Sequence, residues 1–277
     1  MPKIVWGIIK LVAVVIVIGA AFSVNWVAGI AAVALLVGYV YYSNRFALYA
    51  MKANVAYTRG QKGKALALLE KTTRQPSAHP RQFIQYGYVL MKEGELERAE
   101  QVLREGLRKS GEREDIMQIK INLATVFWLQ DKRAEALELL ENVFQSFKTT
   151  MVYGNLGYLK LLSGQLEEAL AFNLEAYEYN GEDQTIRDNL AQTYYLLGRY
   201  EEAEQMYVKV MEKSPKYAES YYYYALTLQQ LGKMEEARTQ SATALERSPA
   251  LIPSVTKADL ERLAGELGQG EAMPAQQ

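Results

Sequence analysis

The stretch Leu190-Ala191-Gln192-Thr193-Tyr194-Tyr195-Leu196-Leu197-Gly198-Arg199-Tyr200-Glu201-Glu202-Ala203 decides the fold. Its Gly198 is one rung of a ladder made of Gly60, Gly94, Gly164, Gly198 and Gly232, with Asp131 where a glycine is missing. Successive rungs lie 34, 37, 33, 34 and 34 residues apart. Five residues after each rung comes an alanine: Ala65, Ala99, Ala136, Ala169, Ala203 and Ala237. A period of about 34 residues with Gly-x4-Ala inside it marks stacked helix–turn–helix units. The rung supplies the left-handed turn between two helices, and small residues near it let the helices approach closely.

Working outward, six units fit, near 46–79, 80–112, 117–147, 150–183, 184–217 and 218–251. The fifth carries Leu190-Ala191, Tyr194, Gly198, Ala203, Tyr207, Val210 and Pro215 at regular offsets. The fourth offers Tyr153, Leu156-Gly157, Gly164, Ala169 and Ala176; the sixth offers Tyr221, Ala225, Gly232, Ala237, Ala244 and Pro249. This part of the chain resembles the tetratricopeptide repeat family. The resemblance implies an all-α, right-handed solenoid of about six repeats over 46–251, whose inner face holds a protein or peptide. Two departures lead us to expect local irregularity. The third unit has Asp131 at its rung and a polar linker over 111–115, and the first has Lys52-Ala53 where Leu-Gly is usual. Beyond Pro249 and Pro253, Thr256 followed by Asp259 predicts a capped helix running through Leu260, Leu263 and Leu267. It would form an end cap over 252–268, with 269–277 a disordered tail.

The N-terminal end reads differently. Residues 4–42 are almost wholly apolar apart from Lys10 and the break Ser23-Val24-Asn25. A bilayer core needs about 20 helical residues, and 4–22 and 24–42 supply 19 each. The expectation is a transmembrane helical hairpin over 1–45, with the second span running on as one helix into the first repeat. Lys10 would snorkel to the headgroups, and Ala28, Ala32, Ala34 and Gly38 would give a small-residue packing face. Lys and Arg flank both outer ends but not the turn, which predicts an integral membrane protein with both termini and the repeats in the cytoplasm. A competing reading takes Gly19-Ala20-Ala21 as a signal-peptide cleavage site, leaving a single anchor.

Composition removes other classes. The chain has no cysteine and one histidine, His79, in the Ser77-Ala78-His79-Pro80 linker. Thiol chemistry and thiolate metal sites are therefore excluded. Seven basic and no acidic residues precede Glu70, whereas 16 basic and 26 acidic residues follow Ser110. That asymmetry concerns placement at a membrane, not nucleic acid. No phosphate-cradling loop or paired-histidine helix is present, so neither enzyme, cofactor nor metal is expected. The acidic pairs Glu167-Glu168, Glu201-Glu202 and Glu235-Glu236 read as solvated helix starts near the positive dipole end.

Carrying the family's first-helix offsets over puts Tyr57, Tyr88, Met91, Trp128, Tyr158, Leu161, Tyr195 and Tyr222 on or near the groove, with Arg81, Lys92, Asn122, Asp188 and Gln192. Only Arg81, Lys92 and Asn122 stand roughly where family members clamp a terminal carboxylate, so that clamp reads as absent. At least one ring of the run Tyr221–Tyr224 should point outward. The implied function is a membrane-anchored scaffold that binds a protein segment in its groove. The alternative is an architectural subunit of a membrane complex that assembles through the hairpin.

Overall fold

The structure, a computed structural model, describes residues 3–75 and 78–269, with side chains at 12–42, 45–75 and 78–268. All its regular structure is helical; the described residues contain no strand beyond one isolated bridge, Tyr217 to Ser248. Two compact units divide at 78/79, and each is described by itself. The expected tail over 270–277 lies outside the described residues.

The first unit holds α1 (Lys3–Val24), α2 (Trp26–Thr58) and α3 (Lys62–Thr73). The break between the apolar helices falls at Asn25, whose Oδ1 accepts the Ala28 N–H at 2.8 Å and so caps α2. The two helices pair closely where Phe22 covers Gly29, since a Cβ there would lie 2.2 Å from the ring. Ala28 and Ala32 are half-buried, while Ala34 and Gly38 are exposed. The hydrogen-bond ladder of α2 runs on to Thr58, as expected, but the helix bends by 56° between Tyr42 and Arg45. Among the described residues no single helix is long and apolar enough to cross a membrane. The bent pair Trp26–Tyr42 plus Arg45–Thr58 meets that test only together, because the bend stops the straight part short of the about 20 residues a span needs. The part of the first apolar helix with described side chains, Val12–Val24, is too short for that test as well, and the Lys10 side chain lies outside the described residues.

The second unit is a row of helical hairpins. They are α4 (Pro80–Lys92) with α5 (Leu96–Lys109), α6 (Arg113–Leu129) with α7 (Arg133–Ser146), and α8 (Thr150–Leu162) with α9 (Leu166–Asn180). Next come α10 (Gln184–Leu196) with α11 (Tyr200–Met211), α12 (Ala218–Gln230) with α13 (Met234–Glu246), and a last helix α14 (Lys257–Gln269). Every rung of the ladder takes the left-handed conformation: φ is 73°, 75°, 81°, 73° and 74° at the five glycines and 61° at Asp131. The six partner alanines have no exposed surface (0% each). Asp131 therefore turns as the glycines do, a conformation an aspartate tolerates better than most residues. The extra residues of that unit do not form the expected linker. Helix α6 starts at Arg113, and Asp115 is buried with its Oδ1 3.7 Å from Arg81 Nε. His79 is more than a linker residue: its Nδ1 accepts the Arg81 N–H at 3.3 Å, and Gln82 Oε1 accepts the His79 N–H at 3.1 Å, so it caps α4.

The run Tyr221–Tyr224 departs from expectation, since its four rings are only 5%, 9%, 9% and 7% exposed. Helix α12 is enclosed on every side. Tyr224 stacks on Tyr207 of α11 at 5.4 Å, Arg247 lies 5.2 Å over Tyr221, and Tyr222 faces Arg262 of α14. The capping helix closes what would otherwise be an open end. Thr256 and Asp259 form the box that starts it, and its Leu260, Leu263 and Leu267 join the same core.

One substitution should have opposite effects at two glycines. Gly198→Ala should lower stability by about 1–2 kcal/mol because φ is positive there. Gly265→Ala, in open space inside α14, should raise it by about 0.5–1 kcal/mol. Urea midpoints of both variants against the unaltered chain check this; two shifts of the same sign would contradict it.

Candidate functional site

The first helix of each hairpin in the second unit presents one side chain per turn to a shared groove. Tyr88, Asn122, Asn155 and Asn189 sit at a single repeat offset, with spacings of 34, 33 and 34. Thr125, Tyr158 and Gln192 form the next row, and Thr185 and Glu219 another. Together they line a cavity of about 360 Å³, bordered also by Pro215–Tyr217 and by Ala250, Leu251 and Ile252. The floor mixes aromatic rings with amides and hydroxyls, a surface that can pair with a backbone as well as with side chains.

The polar groups have unequal partners. Asn189 Nδ2 donates to the Gly154 carbonyl at 2.8 Å. Ser220 Oγ donates to Asp188 Oδ2 at 2.9 Å, while the solvent-shielded Asp188 Oδ1 has no hydrogen-bond partner. Burial pushes the Asp188 carboxyl up to about 7, against the pull of the Ser220 hydroxyl and helped by the nearby Glu219 charge. Burial also raises Glu219, opposed by the Ala250 N–H, which both carboxylate oxygens accept at 3.0 and 3.2 Å. The Tyr158 hydroxyl, raised by burial too, donates to the Ile252 carbonyl at 2.8 Å.

Of the residues expected in the groove, Tyr88, Asn122, Tyr158, Asp188 and Gln192 line this cavity. Met91 and Leu161 are 3% and 1% exposed and belong to the core. Each stands three residues beyond a lining tyrosine, on the same helix face, but is covered by its neighbours instead of opening on the cavity. Trp128 is buried in the core around Leu140 and Leu156. Tyr222 lies under α14, and Tyr195 packs against Tyr223 at 5.5 Å and Tyr200 at 5.8 Å. Arg81 is drawn to Asp115, Lys92 is exposed at the end of α4, and Tyr57 belongs to the first unit. Sequence reasoning missed Thr125, Asn155, Asn189, Glu219 and Ser220. The repeat period carried the signal, since each follows from a groove residue one period away or from its helical neighbour. Among the described residues no group of His, Cys, Asp or Glu is arranged to hold a metal ion. The acidic pairs named above lie in the first turns of α9, α11 and α13.

Fold and groove together define an all-helical repeat solenoid. Four models described as tetratricopeptide repeat match residues 50–113, 117–142, 184–214 and 206–239. The chain belongs to the tetratricopeptide repeat family. No curated protein matches it in sequence. Among solved structures, a tetratricopeptide repeat protein from Parabacteroides merdae is 16% identical with a TM-score of 0.56, covering 82% of this chain and 86% of its own. Pseudomonas aeruginosa pilF is 16% identical with a TM-score of 0.57, covering 81% of this chain and 98% of its own. YrrB, described as a TPR protein with an unusual peptide-binding site, is 19% identical with a TM-score of 0.45, covering 73% and 97%. At these identities the likeness shows the fold.

The raised Asp188 carboxyl has a consequence for stability. Its ordinary value is 3.8 and its folded value about 7, so its contribution is intact below pH ~4 and is lost as pH rises through about 7. Asp188→Asn should therefore match the unaltered chain near pH 4 and exceed it at pH 8 by on the order of a few kcal/mol. Thermal unfolding across that range checks it, and a variant less stable at pH 8 would contradict it.

Proposed function

We propose that this chain is a membrane-anchored scaffold whose groove in the second unit binds a segment of another protein. The observation that carries the binding role is the alignment of Tyr88, Asn122, Asn155 and Asn189 on successive first helices, opening on one polar and aromatic cavity. Tyrosines and buried amides at the floor of a groove suit a partner that offers backbone as well as side chains.

Anchoring rests on the first unit. Consecutive residues Val15, Ile16 and Val17 are 61%, 64% and 64% exposed, so α1 is apolar on more than one face. Trp26, Val27, Ile30, Leu35, Val37 and Val40 extend that surface along α2. An apolar surface wrapping a helix pair supports the reading of a lipid cover. Arg45, its guanidinium 3.5 Å from the Tyr42 ring centre, would mark the headgroup boundary. The basic flank of Lys52, Arg59, Lys62 and Lys64 favours an anionic surface beside it and supports a cytoplasmic location for the repeats. The exposed Ala34 and Gly38, with nothing within 4 Å of a Cβ at Gly38, favour a second use of α2, as a contact to another span.

Two experiments test the parts separately. Single cysteines at Asn25 and at Lys257, in a chain with none of its own, should differ toward a membrane-impermeant maleimide on intact cells. Labelling at Asn25 alone is expected, and labelling at Lys257 would contradict a cytoplasmic groove. A photo-reactive phenylalanine in place of the half-exposed Tyr88 should cross-link a specific protein in cells. The same probe at exposed Lys257 should not, and equal capture at both would remove the groove from the account.

A further inference from the structure

The link from α13 to α14 is longer than the repeat architecture needs. Three residues, Gly181–Asp183, join α9 to α10, whereas ten, Arg247–Thr256, join α13 to α14. Arg247, Ser248, Pro249, Pro253 and Thr256 are exposed, but the middle of the link is partly covered. Ser248 bridges Tyr217, and its carbonyl accepts the Ala218 N–H at 3.1 Å. The Ala250 N–H donates to Glu219, and the Ile252 carbonyl accepts from Tyr158, 94 residues away in sequence. The Ile252 side chain packs on the apolar cluster of α6 to α8, and Leu251 forms part of the cavity wall. Pro249 and Pro253 bracket Ala250-Leu251-Ile252; a proline disfavours helix in the residue before it, which keeps the segment out of a helix, and the chain bends at Leu251 and Ile252.

This is how a bound peptide lies on a groove: the main-chain groups of Ser248, Ala250 and Ile252 paired and an aliphatic side chain half-buried. Glu219 is only 5% exposed and accepts the Ala250 N–H with both oxygens. The strap does not use everything the groove offers, since Asp188 Oδ1 beside it stays unpartnered. A longer or better-placed segment would gain a hydrogen bond that the strap lacks.

We propose that residues 249–253 are a tethered ligand of this groove, so that a partner binds by presenting a non-helical, proline-flanked aliphatic segment that displaces them. This deepens the groove reading above and rests on it. The main chain of the partner pairs with Glu219 and Tyr158, and its aliphatic side chain takes the place of Ile252. In the resting chain its own segment occupies one part of the groove, beside the open cavity.

The probe is a labelled peptide of residues 248–255, Ser-Pro-Ala-Leu-Ile-Pro-Ser-Val, titrated by anisotropy against the full-length chain in detergent. A tethered copy acts at an effective concentration of about 1 mM or more. Releasing it with Leu251→Ser and Ile252→Ser together should therefore tighten peptide binding by about tenfold or more. Tyr158→Phe in that released chain should weaken the peptide several-fold while the helical circular dichroism is unchanged. Equal affinity for the released and unaltered chains would overturn the proposal. So would absence of binding to the released chain at ~5 mM, because a strap that weak would not stay seated at such effective concentrations. If the Tyr88 probe captures a partner but the peptide fails, the groove stands and the tethered ligand falls. If the peptide binds and the Tyr88 probe captures nothing specific, the groove serves only its own strap, and displacement by a partner is refuted.

Discussion

The left-handed turn at each rung is the constraint on which the rest depends. A backbone with φ between 61° and 81° at six regularly spaced positions reverses the chain after each first helix in the same way every time. The alanine five residues on, with no exposed surface, then lets the second helix close against the first. Identical turns and identical close contacts make the hairpins near copies. Near copies stack at one offset, and that offset brings residues 33 or 34 apart into a common line. The groove is thus a consequence of the turn: Tyr88, Asn122, Asn155 and Asn189 meet because their turns are alike.

Within that frame the groove holds a conflict of forces. Two carboxyl groups, Asp188 and Glu219, share a shielded site, and burial raises both. Ser220 relieves one and the Ala250 N–H the other, so the long link from α13 to α14 is part of the electrostatics as well as the packing. The same link ties Tyr158 to Ile252 and delivers α14 to the end of the array, where its leucines cover the tyrosine-rich α12. One segment therefore lines the groove and carries the cap. A partner that removed it would have to satisfy Glu219 by its own main chain, since leaving a buried carboxylate unpaired is unfavourable.

Much of this was legible in the residues. The ladder from Gly60 to Gly232 gave the helix pairs, including the odd rung, because turn chemistry is local and aspartate tolerates left-handed backbone. Thr256 and Asp259 announced α14 for the same local reason. Groove membership was half legible. Tyr158 and Asp188 follow from repeat offsets, but Leu161 and Tyr222 went to the core, since burial depends on which neighbour covers a face. The capping helix decides that for Tyr222, and nothing near Tyr222 in the sequence states it. The seating of residues 249–253 was not legible, because it depends on a contact between Tyr158 and Ile252 across most of the solenoid. The bend of 56° near Arg45 was likewise hidden, with no proline or glycine to mark it.

The most direct test of the account is a distance across the groove. Spin labels at Met151, exposed at the start of α8, and at Pro253, exposed on the strap, can be placed without competition from native cysteines. Pulsed electron resonance on the full-length chain should give one narrow, short distance, which broadens when Ile252→Ser loosens the strap. A broad distribution in the unaltered chain, unmoved by that substitution, would contradict a groove occupied by its own segment.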